Sequence, residues 1–238
     1  MGVELELLPH VELVTGPDPV GTVIWMHGLG ADGWDFVPIV RELPLPEDLA
    51  IRFIFPHAPV RPVTLNNGME MRAWYDIAMS DIGRLPDERG IRASQDAVGH
   101  LIRRERGRGI ASERIVLAGF SQGGAIALQA GLRYAERLGG IAALSTYLPL
   151  DDSLEAEAAP ANRATPIFMA HGSQDEVIPM RRAEMSRAAL ARHGYEVEWH
   201  AWPMPHSVCA EEIEAISGFL ARILGGAPAR SSILLPGR

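Results

Sequence analysis

Lysine is absent from this sequence, and all 22 of its basic residues are arginine. Without lysine the chain cannot form a Schiff base with a substrate or with pyridoxal phosphate, and it cannot supply the lysine of a P-loop. Acidic residues number 30, which gives a formal net charge of -8. Because nucleic-acid binding needs a basic face that neutralises phosphates, we expect no nucleic-acid partner. The preference for arginine is typical of GC-rich coding and favours a bacterial source.

Cysteine and long apolar runs are also scarce. A single cysteine, Cys209, excludes an internal disulfide and gives no sign of an oxidising compartment. No apolar run approaches the length of a membrane span. The N-terminal residues MGVELELLPHVEL alternate apolar and charged side chains and lack the features of a signal peptide. The sequence therefore predicts a cytoplasmic protein without a membrane span.

Short apolar runs alternate with helix-like segments along the chain. The runs predict strands at residues 21–28, 49–56, 114–120, 140–146, 165–172 and 195–202, and the segments between them predict helices at 87–106, 121–137, 179–193 and 207–224. This pattern is typical of an α/β fold with a mostly parallel sheet covered by helices on both faces. We expect the N-terminal strand to be an antiparallel edge strand that forms a hairpin with the second strand. The boundaries predict one domain over residues 1–224 and a tail at 225–238.

Two long stretches without a clear pattern, residues 56–83 and 149–165, interrupt this alternation. Irregular segments of this length usually serve a site or are mobile. Trp74 in the first stretch is a candidate for the wall of an acyl-binding channel, and its alternative is packing beneath the loop. Tyr147 and Val177 follow strand ends and are candidates for the same wall.

The segment GFSQG at residues 119–123 matches the G-x-S-x-G pattern of a nucleophile elbow, which exposes a serine at a sharp turn between strand and helix. The glycines allow strand and helix to approach closely, and the free N–H groups at the helix start suit a developing oxyanion. A glycine-rich turn with an incidental serine is the alternative. The apolar strand before Ser121 and the helix after it favour a nucleophile.

A serine hydroxyl needs a base to take its proton, and in this kind of site the chain order is serine, acid, histidine. The order leaves His193, His200 and His206 as candidates. His193 ends a predicted helix and His200 lies within a predicted strand, whereas His206 lies in the loop PMPHSV after the last strand. We therefore predict that His206 is the base.

The acid must follow a strand between the serine and the histidine. Asp151 and Asp152 are candidates after LSTYLPL, and Asp175 is a candidate in HGSQDEVIP. An acid at Asp175 can accept the ring N–H of His206 and fix its tautomer. A helix-capping role is the alternative for Asp175, but the order of the three residues favours the catalytic interpretation.

An oxyanion needs two hydrogen-bond donors. We predict the backbone N–H of Gln122, the residue after the nucleophile, and that of Leu29 in the glycine-rich loop HGLGADG. His27 and His171 each precede a glycine at a strand end, and we interpret both as structural hydrogen-bonding residues. Neither belongs to an H-E-x-x-H motif or a Cys/His cluster, so no metal site is expected.

Six segments stand in an order that resembles the carboxylesterase and acyl-protein thioesterase family of α/β-hydrolases. They are HGLGADG, FPHAPVRPVTLNNGMEMRAWYDI, GFSQGGA, LSTYLPL, HGSQDEVIP and MPHSV, spanning residues 27–207. The resemblance implies an α/β-hydrolase fold, a triad of Ser121, Asp175 and His206, and no cofactor. It also implies a small-molecule ester or acyl-thioester substrate. It does not cover the C-terminal tail.

Three functions follow from these features. The main prediction is a serine hydrolase that cleaves small carboxylic esters through an acyl-enzyme on Ser121. The alternative is an acyl-protein thioesterase or lysophospholipase with the same triad, and a non-catalytic binding module is the alternative of a different class. The resemblance and the apolar rim of the loops further predict a homodimer, to which the SSILL segment of the tail is a candidate contributor.

Overall fold

The computed structural model describes residues 7–80 and 83–226, with backbone alone at residues 79, 80 and 83–86. The tail from residue 227 onward, with the SSILL segment, lies outside the described residues. The strands are β1 (His10–Val14), β2 (Gly21–Met26), β3 (Ile51–Pro56), β4 (Val60–Val63), β5 (Met69–Arg72), β6 (Ile77–Ser80), β7 (Gly83–Pro86), β8 (Ile115–Phe120), β9 (Gly140–Leu144), β10 (Ile167–Gly172) and β11 (Val197–Trp202). The helices are α1 (Glu88–Gly107), α2 (Gln122–Arg133), α3 (Leu154–Glu157), α4 (Met180–Arg192) and α5 (Ala210–Leu224).

The central sheet has seven strands in the order β1-β3-β2-β8-β9-β10-β11. All neighbouring pairs are parallel except β1 and β3, which are antiparallel. The predicted fold class, a mostly parallel sheet with an antiparallel N-terminal edge strand, is confirmed. The predicted hairpin of the first strand with β2 is wrong, because β2 is buried along its whole length between two parallel partners, β3 and β8. That position leaves β2 no free edge for β1.

Helices cover both faces of the sheet, as predicted. On one face, apolar residues of α1, α2 and α4 pack on strand residues such as Ile24 and Leu117. On the other face, α5 packs through Ile216, Phe219 and Leu220. All four predicted long helices are present, with ends that differ from the predicted ones by up to four residues.

The two stretches without a clear sequence pattern contain short regular elements. Residues 56–83 hold a hairpin of β4 and β5 and the strand β6, which pairs with β7. The β4–β5 hairpin turns at Asn67 and Gly68, both with positive φ, and an Asn-Gly pair is a strong hairpin signal. Residues 149–165 hold α3, which Arg133 of α2 anchors through a 2.7 Å ion pair with Glu157.

We also compared the helices with the thickness of a bilayer. Within the described residues, no helix combines the length and the apolar character needed to cross a membrane.

Candidate active site

Ser121 lies at the bend between β8 and α2. Its backbone has φ 55° and ψ -119°, a positive-φ conformation that costs a non-glycine residue roughly 1–3 kcal/mol. The end of the neighbouring strand β9 holds it there, since the Ser121 amide donates to the Leu144 carbonyl at 2.8 Å and the Thr146 hydroxyl donates to the Ser121 carbonyl at 2.6 Å. The elbow is therefore a fixed, strained turn that sets the serine at the end of the sheet.

Close backbone approach explains the two glycines of the motif. A Cβ on Gly119 would lie 2.3 Å from the carbonyl oxygen of Gly123, and a Cβ on Gly123 would lie 2.3 Å from that of Met26. Either contact is far inside van der Waals distance. The turn can therefore form only with glycine at both positions.

His206 connects Ser121 to Asp175. The loop between β11 and α5 brings its Nε2 atom to 2.9 Å from the Ser121 hydroxyl oxygen, and its Nδ1 atom lies 2.6 Å from Oδ2 of Asp175. The Asp175 side chain has no exposed surface and that of His206 is 16% exposed. The structure thus assembles a continuous serine–histidine–carboxylate chain of hydrogen bonds.

The second carboxylate oxygen of Asp175 stabilises its own loop. Oδ1 accepts from the amides of Val177 and Ile178 at 2.9 and 2.8 Å. The residue that precedes α4 is Pro179, so Asp175 binds loop amides instead of capping that helix. With both oxygens engaged, the carboxylate has one orientation toward His206. The other acid candidates, Asp151 and Asp152, are exposed residues that line a neighbouring cavity.

His27 and His171 make structural hydrogen bonds. His27 donates through Nδ1 to the Gly28 carbonyl at 2.7 Å and accepts from the Ala58 amide through Nε2 at 3.1 Å. Burial lowers the pKa of His27, in keeping with a neutral ring. His171 is buried behind the acid, with Nε2 2.7 Å from the Ile178 carbonyl and 3.4 Å from Oδ2 of Asp175.

Gln122 carries two features of the site. Its backbone N–H is the first of α2 and has no intrahelical acceptor, which suits the predicted role of oxyanion donor. Its buried side chain accepts from the Trp74 amide at 2.8 Å and donates to the Tyr75 carbonyl at 2.7 Å. This clamp ties residues 74–75 to the elbow, and sequence reasoning missed it because the partners lie 47 and 48 positions apart.

A cavity of about 330 Å³ opens at Ser121 and His206. It is largely apolar, and its wall includes Tyr147 and Val177, which were predicted to line it, and Leu29 and Gln122, which were predicted as oxyanion donors. Sequence reasoning did not identify the remaining apolar side chains of the wall, which belong to Ala31, Leu65, Tyr75, Ile77, Phe120 and Ile178. Such a cleft suits a hydrocarbon chain next to the serine.

Trp74 is not part of this cleft. The side chain is fully buried, and its indole N–H donates to the His27 carbonyl at 2.9 Å. The prediction that Trp74 lines the channel is therefore wrong. Trp74 packs beneath the loop, which was the alternative interpretation. Its neighbour Tyr75 faces the cavity instead.

Among the described residues, no group of three or more His, Cys, Asp or Glu side chains is close enough to hold a metal ion.

Comparison with known proteins places the chain in a family. The model of the Phospholipase/Carboxylesterase family matches residues 10–224. The chain belongs to this family. It is 44% identical to acyl-protein thioesterase 1 of Neurospora crassa, over 85% of this chain and 86% of that protein. It is 38% identical to acyl-protein thioesterase 1 of Mycosarcoma maydis, over 88% and 94%.

Solved structures agree with this assignment. Arabidopsis thaliana SOBER1 superimposes with a TM-score of 0.80 at 31% identity, over 86% of this chain and 99% of that one. Zea mays acyl-protein thioesterase 2 gives 0.78 at 28% identity, over 90% and 99%. These two solved structures share the fold with this chain.

The relatives also bear on the source of the sequence. Those named acyl-protein thioesterase 1 are fungal, which contradicts the expectation of a bacterial source. Arginine in place of lysine is typical of GC-rich coding, which is not confined to bacteria.

Proposed function

We propose that this family member is a serine hydrolase that cleaves acyl thioesters of S-acylated proteins through an acyl-enzyme on Ser121. The observation that carries the chemistry is the hydrogen-bonded chain from Ser121 through His206 to Asp175, at the mouth of an apolar cleft. The thioester substrate is supported by the names of the relatives. They favour this reaction over the carboxylic-ester hydrolysis that ranked first in the sequence analysis.

Acylation begins with proton transfer from the Ser121 hydroxyl to Nε2 of His206 as the serine oxygen attacks the thioester carbonyl carbon. The negative oxygen that forms is stabilised by the amides of Gln122 and Leu29 in the proposed oxyanion site. The C–S bond then breaks, and the proton on Nε2 passes to the departing cysteine sulfur. Asp175 holds the Nδ1–H of His206 and stabilises the imidazolium between these two transfers.

Deacylation repeats the steps with water. His206 takes a proton from water, the resulting hydroxide attacks the acyl carbon, and the bond to Ser121 breaks as its oxygen regains the proton. The products are a carboxylic acid and the free enzyme, and no cofactor is required to balance the reaction.

Small carboxylic esters would follow the same steps, with a C–O bond broken in place of C–S. We propose this as the second activity because the matching family is described by phospholipase and carboxylesterase activity. The cleft of about 330 Å³ also suits a small ester. Cytoplasmic location and the homodimer remain predictions.

Intact-mass measurement after treatment with a fluorophosphonate probe tests the nucleophile. We expect one adduct on Ser121, no adduct in Ser121→Ala, and full labelling in Ser173→Ala, which removes an exposed serine hydroxyl. An unlabelled wild-type protein would favour the non-catalytic binding module.

Turnover of an acyl-cysteine peptide, compared with a p-nitrophenyl ester of the same acyl chain, tests the substrate class. A higher kcat/KM for the peptide thioester supports the thioesterase assignment. Turnover of the ester alone would support the carboxylesterase assignment instead.

A further inference from the structure

A second cavity lies next to the catalytic cleft. It measures about 350 Å³ and shares three wall residues with the cleft: Tyr75, Ile77 and Tyr147. Neither Ser121 nor His206 lies in its wall. The two spaces are therefore neighbouring chambers with a common partition, and only one of them contains the proposed nucleophile.

A hydrogen bond closes this partition. The hydroxyl oxygens of Tyr75 and Tyr147 lie 2.8 Å apart, although the two residues come from different loops. Either hydroxyl can be the donor, because each carries one proton and can also accept. We call this contact the tyrosine pair.

One half of the tyrosine pair is fixed to the elbow. Tyr75 is only 2% exposed, and its carbonyl accepts from the Gln122 side chain at 2.7 Å. Because Gln122 follows the serine directly, the ring of Tyr75 holds a set position relative to the proposed reacting atoms.

The other half is braced from α4. Tyr147 is half-buried, and the guanidinium of Arg182 lies over its ring at 4.2 Å from the centroid, within the range of a cation–π contact. The next amide, that of Leu148, donates to the Ser186 hydroxyl at 2.9 Å. This half rests on one partly exposed side chain and is the half that can give way.

The second chamber can accept the continuation of a hydrocarbon. Besides the residues shared with the cleft, its apolar wall residues are Ile91, Leu148, Pro149 and Leu150, and its charged residues are Asp76, Glu88, Asp151, Asp152 and Arg182. Glu88, Asp151 and Asp152 are exposed and mark the solvent side. An apolar chain that passes the pair would therefore meet apolar side chains before it reaches water.

We propose that the tyrosine pair, braced by Arg182, sets the acyl-chain length that the enzyme accepts. This inference rests on the proposed function, since it assigns the acyl chain to the cleft at Ser121. At roughly 30 Å³ for each water-sized group, the cleft holds roughly ten heavy atoms, or an acyl chain of about eight carbons. A longer chain must separate the two hydroxyls to enter the second chamber.

The test measures kcat/KM for acyl-cysteine peptides with chains of about four, eight and sixteen carbons, a series that brackets the cleft volume. The variants are Tyr75→Phe, Tyr147→Phe, the double Phe variant and Arg182→Ala. Each Phe variant keeps the ring and removes one hydroxyl. We expect the ratio of the sixteen-carbon to the eight-carbon substrate to rise roughly 2- to 10-fold, which is the equivalent of one neutral hydrogen bond.

The double Phe variant provides a sharper criterion. Because the two hydroxyls share one hydrogen bond, the effect of the double variant on this ratio should be smaller than the product of the two single effects. Tyr134→Phe is the matched control, since Tyr134 lines a different cavity and its hydroxyl should not affect the ratio. Arg182→Ala should move the ratio in the same direction through Tyr147.

The outcomes separate this inference from the proposed function. The role of the tyrosine pair would be overturned if the wild type turns over the four-carbon substrate but all four variants keep the wild-type ratio of the sixteen-carbon to the eight-carbon substrate. A wild type that neither turns over the four-carbon substrate nor becomes labelled at Ser121 would overturn the proposed function itself. A ratio that rises equally in Tyr134→Phe would also refute the inference, because the effect would not depend on the partition.

Discussion

Glu212, in the first turn of α5, is an unusual carboxyl group because it is fully buried. Neither of its oxygens has a hydrogen-bond partner of normal geometry among the described residues. Burial raises the pKa of Glu212 to about 8, and the backbone amide of Cys209 opposes the increase only in part. The folded protein therefore holds a neutral carboxylic acid here at neutral pH.

The sign of the resulting pH dependence follows from proton binding. Between the ordinary pKa of 4.5 and the raised value of about 8, the folded state keeps the proton and the unfolded state releases it. The free energy of unfolding must therefore fall as the pH rises through this window and level off above it. The complete pKa shift lowers the free energy of unfolding by about 5 kcal/mol, and about 3 kcal/mol of this decrease falls between about pH 5.5 and about pH 8.

Urea unfolding of the wild type and Glu212→Gln at these two pH values measures the effect. The amide cannot ionise, so the wild type should lose about 3 kcal/mol more than the variant on going to the higher pH. Glu211→Gln is the matched control, since it makes the same Glu-to-Gln change at an exposed position on the same turn and should keep the wild-type dependence on pH. If the free energy of unfolding falls by the same amount in the wild type and in Glu212→Gln, within about 1 kcal/mol, Glu212 is not a neutral buried acid.

Three further predictions concern the elbow and the assembly. Gly123→Ala should prevent the normal fold or lower its Tm strongly, because the new Cβ would lie 2.3 Å from the Met26 carbonyl oxygen; a wild-type Tm would contradict the close approach. Gln122→Ala should lower the free energy of unfolding by about 1–3 kcal/mol, since it removes the hydrogen bonds to the buried Trp74 amide and the Tyr75 carbonyl; an unchanged free energy in urea titration would contradict the clamp. Light scattering should give twice the 25.9 kDa chain mass if the predicted homodimer forms, and the mass of a monomer would reject the homodimer. The same measurement on a chain that ends at Gly226 tests whether the tail contributes to the dimer.

Chain order and strand ends were enough to predict which three side chains meet. Ser121, Asp175 and His206 each follow a strand of one parallel sheet, and the carboxyl ends of such strands lie at the same edge. The structure brings the three residues within hydrogen-bond distance. The prediction needed no knowledge of the loops beyond where they begin.

The pairing of β1 could not be predicted in the same way. The short TGPDPVG connection favours a hairpin between neighbouring strands, and this local signal led to the wrong partner. β1 pairs instead with β3, some 40 residues away, because the parallel partners β3 and β8 already occupy both sides of β2. The competition for strand edges is a property of the whole sheet and leaves no trace in the residues of the connection.

Trp74 and Tyr75 show the same limit within a loop. Both are large aromatic residues in MRAWYDI, and nothing in that segment determines which of them faces the cleft. The Gln122 clamp fixes the backbone of both residues, and with that orientation Trp74 points to the His27 carbonyl while Tyr75 points to the cavity. A sequence-based prediction of the wall could only choose between adjacent positions.

The two parts of the site differ in what supports them, and this difference should separate their responses to mutation. The serine–histidine–carboxylate chain is built on buried strand ends, a strained turn and glycines that admit no side chain. The tyrosine pair is joined by a hydroxyl–hydroxyl hydrogen bond, and the partly exposed Arg182 lies over the ring of Tyr147. Substitutions at the pair should therefore alter which acyl chains are accepted at little cost in stability, whereas substitutions of Gly119 or Gly123 should remove the fold and the chemistry together.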